Sequence, residues 1–270
     1  MGCWAAWALV RPTGVQMGLI NLDLSHRSST DYYPYVAPPV SYSTTFNGTE
    51  NPISESGAWI TGADSLSTVV KTSGGLAFGT QSGLEYQQAD GTPGKYNDSH
   101  AWLSPSVFSS RNQRVEITIH KGASWGGDLE VECLLGASVG ALRSPTPFYG
   151  PTHTNVCEVN FAVGQFGIFV GIYRFLDNVG ADLSSAGGSW GVPNDGDIFC
   201  AQLVLNDTDQ TGTVTVSMKR GGSETTFGSH TDSSLYLIGQ PGFGFYNQDN
   251  TTDSDRQKFC VTSFYAVGLP

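Results

Sequence analysis

Basic residues are scarce in this sequence: Lys and Arg total 13 of 270 residues, against 24 Asp and Glu, and the net charge is −11. A negative surface of this strength repels phosphate backbones and anionic lipid headgroups. We therefore expect neither nucleic acid nor a membrane as a partner. Neutral glycans, other proteins and divalent cations remain open as ligands.

Paired metal-binding cysteines are also lacking. None of the five cysteines belongs to a CxxC motif, which argues against a structural zinc site built from thiolates. Four of them lie in apolar, β-type runs, and we expect buried free thiols that pack as small hydrophobic groups, with one disulfide between neighbouring strands as the alternative. These four are Cys133, Cys157, Cys200 and Cys260.

The N-terminus has no hydrophobic run long enough to cross a membrane. The run CWAAWALV has eight residues and no basic segment before it, so it predicts neither a signal peptide nor a membrane helix. A Tyr- and Pro-rich stretch follows, in which Pro38 and Pro39 disfavour both helix and central strand. We interpret residues 1–40 as an extended arm that docks on a partner; an extension packed on its own domain is the alternative.

From residue 41 onward the pattern is that of β-strands, without a convincing helical period. In RVEITIH, the apolar residues Val115, Ile117 and Ile119 alternate with polar ones, and TVTVSMK alternates in the same way, which is typical of half-buried strands. Runs such as FGIFVGIYRF are apolar on both faces and indicate inner strands. Turn clusters such as PNDG and RGGS separate about a dozen strands, and this spacing predicts an all-β sandwich.

Several short segments occur in a recognisable order. TFN, NPI and GAW lie within residues 44–62, and GGLAF, DSHAWLSP, RVEITIH, GQPGFGFY and the closing KFCVTSFYAVG follow. This order resembles concanavalin A-like (laminin G-like) jelly-roll domains over about residues 41–270. The resemblance implies a sandwich of two antiparallel sheets in which the last strand pairs back near the first. Phe46 and Trp59 are then predicted to be core residues of the first strands.

Domains of this kind occur in lectins, glycan hydrolases and lyases, carbohydrate-binding modules and phage virion surface proteins, so the fold does not fix the function. We interpret the chain as a non-catalytic structural and adhesive protein of a phage virion surface, a head-decoration or tail-associated protein with a glycan-binding sandwich. The arm would join it to other virion or surface proteins or to further copies of itself. The alternatives are a jelly-roll polysaccharide hydrolase or lyase and a secreted carbohydrate-binding module.

An acidic run on one predicted strand is the candidate for catalysis. In GGDLEVECLLG, Asp128, Glu130 and Glu132 alternate, so their side chains share one face of the strand. Retaining glycosidases use two carboxylates about 5–5.5 Å apart, so Glu130 and Glu132 are the catalytic pair if the protein is an enzyme. The interpretation that we favour is a solvated outer face opposite the apolar residues of the same strand.

Aromatic and acidic loops are the candidates for binding. Trp125 and Trp190, which are flanked by small residues, and Tyr246 are predicted to stack on sugar rings, with packing at the edge of the core as the alternative. The loop QDNTTDSD brings together oxygen ligands of the kind that calcium prefers, although ordinary turn chemistry also produces such clusters. We expect no required cofactor and calcium as the candidate ion; its predicted ligands are Asp249, Asp253 and Asp255.

Overall fold

The computed structural model describes most of one compact unit, Pro38–Pro270. The described residues are 40–61, 67–80, 86–87, 93–94, 98–122, 129–140, 153–164, 166–176, 179–186, 190–247 and 257–270. Apart from its last residue, the predicted arm lies outside these ranges, and its docking role stays a prediction.

The described secondary structure consists of strands and one 3-10 helix, Ser233–Leu235, and contains no helix long and apolar enough to cross a membrane. The strands are β1 (Ser41–Thr44), β2 (Trp59–Thr61), β3 (Ser67–Ser73), β4 (Leu76–Gly79), β5 (Tyr86–Gln87), β6 (Pro93–Gly94), β7 (Asp98–Leu103), β8 (Gln113–Lys121), β9 (Leu129–Gly140), β10 (His153–Gly164), β11 (Gly167–Leu176), β12 (Val179–Ala186), β13 (Ile198–Asn206), β14 (Thr211–Arg220), β15 (Ser223–Asp232), β16 (Gln240–Asn247) and β17 (Phe259–Gly268).

Two antiparallel sheets contain nearly all of these strands. Sheet I has the order β12-β11-β10-β9-β16-β7, with β2 also paired to β7, and sheet II has the order β4-β17-β8-β13-β14-β15. Strand β3 connects them, because residues 67–69 pair with β7 in parallel and residues 70–73 pair with β4. Strands β5 and β6 form a separate two-stranded ladder.

The hydrophobic core lies between the two sheets and follows the predicted period of two. Val115, Ile117 and Ile119 of β8 are fully buried on sheet II, and they share one cluster with Val131 and Cys133 of β9 on sheet I. The alternation therefore directs the apolar half of each strand toward the facing sheet.

An aromatic group closes the core where the first strands enter it. The Trp59 ring meets the rings of Phe243 and Phe264 edge-on, with centroid distances of 5.2 and 5.0 Å, and Phe46 lies 5.5 Å from Phe243. Phe46 is 0% exposed and Trp59 is 6% exposed. Both predictions of a core position are confirmed, so the described residues 44–61 help to build the fold.

The four described cysteines are buried free thiols, as predicted, and none of them forms a disulfide. The closing strand is also where the family resemblance places it, since β1 pairs with β17 from Ser41 opposite Val267 to Thr44 opposite Phe264. The described strands therefore form the two-sheet, mainly antiparallel sandwich that the sequence predicts.

Candidate functional site

The face of sheet I that points away from sheet II carries the candidate site. On β9, Val131 and Cys133 belong to the core between the sheets, so Glu130 and Glu132 point to the opposite face, which we call the outer face. The sequence favours a solvated position for both acids. For Glu132 this expectation is wrong: the residue is 1% exposed, and apolar residues such as Leu134 and Trp102 are buried on the same face.

Strand pairing brings Glu132 into line with a histidine. In register, Glu132 lies opposite Asn160 of β10 on one side and Gly244 of β16 on the other, and Gly244 lies opposite His100 of β7. A Cβ atom on Gly244 would lie 2.3 Å from Glu132 Oε2 and 2.7 Å from His100 Cδ2. The absence of a side chain on β16 therefore lets the imidazole and the carboxylate meet across it.

Four buried side chains converge at this point. His100 Nε2 lies 3.1 Å from Glu132 Oε2, 3.4 Å from Glu158 Oε1 and 3.8 Å from Asp98 Oδ2. One oxygen or nitrogen of each residue lies within 4.8 Å of the corresponding atoms of the other three. We call this group the acid–histidine cluster; it joins strands β7, β9 and β10 beneath the outer face.

The electrostatics of the acid–histidine cluster favour bound positive charge. Burial raises the pKa of the Glu132 and Glu158 carboxyls well above the ordinary value, and nearby carboxylates raise both further. For Glu158, the neighbouring His100 opposes this increase in pKa. Burial also raises the pKa of Glu130, against a hydrogen bond with the Asn160 side chain that lowers it. The cluster therefore retains protons, or another cation, more readily than exposed acids do.

Two polar atoms at the cluster have no hydrogen-bond partner among the residues that the structure describes. They are His100 Nδ1 and Asn160 Oδ1, and both are buried. Buried polar atoms are usually hydrogen-bonded, so two partnerless atoms beside one group of carboxylates mark the place as unusual.

A cleft of about 520 Å³ opens on the outer face beyond the cluster. Trp102, two residues after His100 on β7, forms part of its wall, with Ile60 of β2, Ser138 of β9 and Gln240 of β16. Gly242 lets β16 lie close to the backbone of β7, because a Cβ atom there would lie 2.3 Å from the Ala101 carbonyl oxygen and 2.8 Å from Trp102 Cβ. The side-chain oxygen of Gln240, Oε1, is buried and has no hydrogen-bond partner in the described part of the chain.

The single charged side chain among the lining residues of this cleft is already paired. Arg111 donates from Nη1 and Nη2 to the two carboxylate oxygens of Asp207, at 3.0 and 2.6 Å, and from Nη2 to the Tyr236 hydroxyl at 2.6 Å. The cleft is therefore lined by hydroxyl, amide and apolar groups, and the positive charge of Arg111 is neutralised by Asp207.

Of the sequence-predicted binding residues, the structure describes Tyr246 and Trp190, and these two lie apart. Tyr246 lies on β16 opposite Glu130 and Asp98, half-buried beside the acid–histidine cluster rather than at an exposed loop tip. Trp190 is 38% exposed and stacks on Phe227 of sheet II, with ring centroids 4.6 Å apart. Trp125 and the predicted calcium ligands Asp249, Asp253 and Asp255 lie outside the described residues, and their roles remain predictions.

Sequence reasoning missed three of the four cluster residues. His100 and Asp98 belong to DSHAWLSP, which served only as a fold marker, and Glu158 lies in VCEVNF, which reads as an apolar run. The sequence signal that could have revealed the cluster was the charge of Glu158. A glutamate between the apolar residues Cys157 and Val159 in a predicted inner strand requires a partner if it is buried.

Comparisons with known proteins give structural matches only. No protein-family model matches the chain, and no curated protein matches it. Similar solved structures include the metal-free carbohydrate recognition domain of Emp46p (13% identity, 85% of this chain and 97% of that chain, TM-score 0.46) and peanut lectin with a nine-residue peptide (13%, 87% and 99%, 0.44). Carbohydrate-binding module CBM66 from Bacillus subtilis is a third (10%, 80% and 95%, 0.41). The names of Emp46p and CBM66 mention carbohydrate, and that property is stated of those two proteins.

Proposed function

We propose that this protein is a non-catalytic, lectin-like binding module of a virion surface, and that the cleft on the outer face of sheet I binds a neutral glycan. The observation that supports this most directly is the partnerless Gln240 Oε1 in the wall of the cleft. A buried acceptor without a donor is costly, and a sugar hydroxyl is a donor of the kind that it lacks.

The size and lining of the cleft suit a small sugar. Its volume of about 520 Å³ lies within the range of roughly 300–1,000 Å³ found for ligand pockets. Apolar surface comes from the exposed Ile238 and the partly buried Ile60, while Ser138 and Gln240 supply polar groups. Sugars present both C–H faces and hydroxyls, so this mixture matches their chemistry.

The charge of the lining favours a neutral ligand over an acidic one. Because Asp207 engages both terminal nitrogens of Arg111, the guanidinium is not an open anchor for a carboxylate or sulfate. The chain also carries a net charge of −11, which repels polyanions.

A polysaccharide hydrolase is the second candidate, and a specific distance favours it. Glu132 and Glu158 present oxygens no more than 4.8 Å apart, so the two carboxyls are near enough to form the pair that retaining glycosidases use at about 5–5.5 Å. Their side chains, however, are only 1% and 4% exposed, and a catalytic pair must contact the glycosidic bond. Glu130 is partly exposed, but the sequence-predicted pair also includes Glu132, whose buried side chain cannot contact a glycosidic bond.

The two candidates separate in one assay series. We expect no turnover on a panel of neutral and acidic polysaccharides, with binding to at least one neutral glycan on an array. Turnover that Glu132→Gln or Glu158→Gln abolishes would establish the hydrolase instead.

The cleft is tested by measuring the affinity of the array hit by calorimetry. Ile238→Arg should fill the cleft, and Gln240→Leu should remove the unpaired acceptor; each is expected to weaken binding by about tenfold or more. Val204→Arg is the matched control, since Val204 is an exposed aliphatic residue on sheet II (37%, against 56% for Ile238). Loss of binding in Trp125→Ala, Trp190→Ala or Tyr246→Phe, with Ile238→Arg unaffected, would locate the site at the sequence-predicted aromatics.

The virion assignment is supported by the acidic, β-rich body and the distinct composition of residues 1–40. Electron cryomicroscopy of assembled particles should find the sandwich on the outer surface and residues 1–40 in contact with a neighbouring protein or a sister copy. Particles that lack the protein would contradict the assignment without affecting the glycan test.

A further inference from the structure

We propose that the acid–histidine cluster is a binding site for a divalent transition-metal ion of the Zn²⁺ or Mn²⁺ type, held by His100 Nε2 and by carboxylate oxygens of Asp98, Glu132 and Glu158. This site is independent of the glycan cleft, and the two proposals fail or succeed separately.

The distances between the ligand atoms fit a metal ion. In a tetrahedral zinc site with bonds of about 2.1 Å, neighbouring ligand atoms are about 3.4 Å apart. The separations of His100 Nε2 from the three carboxylate oxygens are 3.1, 3.4 and 3.8 Å. These values lie on either side of the tetrahedral edge, and the carboxylate oxygens lie within 4.8 Å of one another, so the four atoms are about as close together as the ligands of a bound ion.

The buried carboxyl groups of the cluster ionise only when positive charge compensates them. Glu132 and Glu158 are both buried, and within the described part of the chain their ion-pair partner is His100 alone, with no lysine or arginine. One imidazole offers at most one positive charge to the carboxylates around it. Buried carboxylates are normally paired or coordinate a metal, and a divalent ion supplies the missing charge.

The partnerless atoms are a separate indication of a ligand. The His100 side chain is 4% exposed, and all its described polar contacts run through Nε2 into the cluster. The side chain of Asn160, opposite Glu132, hydrogen-bonds Glu130, and its buried Oδ1 is left without a donor. A metal ion, or a water molecule bound to it, provides what Asn160 Oδ1 lacks.

The ligand types select the metal. Ca²⁺ and Mg²⁺ take oxygen ligands, whereas a set of one imidazole and three carboxylates suits Zn²⁺, Mn²⁺ or Fe²⁺. Four protein ligands in a closed, buried position are typical of a structural metal site and leave no open coordination position for a substrate. The ion would therefore hold strands β7, β9 and β10 together.

The test uses tag-free, full-length protein treated with a chelator and then titrated with Zn²⁺, Mn²⁺ or Ca²⁺. We expect one equivalent of Zn²⁺ by elemental analysis and calorimetry, a higher melting temperature, and a visible absorption band of low-symmetry coordination when Co²⁺ replaces Zn²⁺. Glu158→Gln and Glu132→Gln should weaken Zn²⁺ binding by more than about 100-fold, because even outer-shell partners of metal ligands are worth roughly 10–100-fold. Both variants preserve side-chain shape, and circular dichroism checks that each is folded.

Glu130→Gln is the matched control, since Glu130 shares the strand and face but is not one of the four ligands; it should bind Zn²⁺ within a few-fold of wild type. Absence of stoichiometric Zn²⁺ or Mn²⁺, or equal binding by folded Glu158→Gln, would overturn the proposal. So would a preference for Ca²⁺ that Glu158→Gln abolishes. Ca²⁺ binding lost in Asp253→Asn instead would support the separate sequence-predicted calcium loop.

Discussion

His100 and Glu132 meet across a strand that belongs to neither of them. The imidazole Nε2 lies 3.1 Å from Glu132 Oε2, and Gly244 of β16 stands between β7 and β9 without a side chain. Strands that are not adjacent are about 9–10 Å apart, so their side chains meet only when the intervening position is empty. Gly244 is therefore a determinant of the cluster although it contributes no functional group.

Replacement of Gly244 tests this relationship directly. Gly244→Ala should lower the free energy of unfolding by about 1–3 kcal/mol, because the new methyl group overlaps Glu132 and His100 in a closed space. Gly228→Ala on β15 is the control, since a Cβ atom there has no neighbour within 4 Å. Urea denaturation of both variants gives the comparison. Equal losses of unfolding free energy in the two variants would show that the cluster does not require an empty side-chain position at Gly244.

The sandwich was predictable because its signal is local. Val115, Ile117 and Ile119 alternate with polar residues within one segment, and that alternation requires no knowledge of the neighbouring strands. The core positions of Phe46 and Trp59 followed from the order of short segments around them.

The acid–histidine cluster was not predictable because it depends on register. His100 precedes Glu132 by 32 residues, and strand β16, which separates them in the sheet, comes more than a hundred residues later in the chain. Only the pairing of β16 with both β7 and β9 places these two side chains in one row. The i, i+2 pattern of Glu130 and Glu132 gave the correct face, but burial of Glu132 depends on neighbours that the pattern does not specify.

The described cysteines should be unreactive in the folded protein. Burial raises the pKa of Cys200 to about 11 and that of Cys260 to about 12, and it also raises those of Cys133 and Cys157. At pH 8 the folded Cys3→Ser variant should therefore not react with a thiol reagent such as DTNB, and all four thiols should react in denaturant. Reaction of any of them without unfolding would contradict the burial described here.

The pair of Arg220 and Asp197 should contribute more to stability than the pair of Arg111 and Asp207. Asp197 is 3% exposed and accepts from Arg220 Nε at 3.0 Å, so Arg220→Gln leaves a buried carboxylate without its cation. We expect a loss of about 1–3 kcal/mol, below the roughly 3–5 kcal/mol for fully buried pairs because the arginine is partly solvated. Arg111→Gln breaks an exposed pair and should have a clearly smaller effect in the same urea denaturation. Equal losses would show that burial of Asp197 does not matter.

Glu55 should stabilise the entry of the chain into the sandwich. Its carboxylate accepts hydrogen bonds from the Tyr42 hydroxyl at 2.6 Å, from Thr44 Oγ1 at 2.5 Å and from Trp59 Nε1 at 2.6 Å. Burial and the hydrogen bond to Glu55 both raise the pKa of Tyr42, which keeps its hydroxyl a donor. Glu55→Gln replaces one acceptor oxygen by a donor amide that faces these donors.

We expect Glu55→Gln to lower the free energy of unfolding by about 2–3 kcal/mol, since hydrogen bonds to a charged acceptor are worth roughly 1.5–3 kcal/mol each and part of the set survives. Tyr42→Phe provides the matched comparison, because it removes one donor and leaves the carboxylate intact. In a double-mutant cycle the two changes should be less than additive, as both remove the same hydrogen bond. Additive losses would mean that Tyr42 and Glu55 act independently, and the carboxylate would then stabilise this region through Thr44 and Trp59 alone.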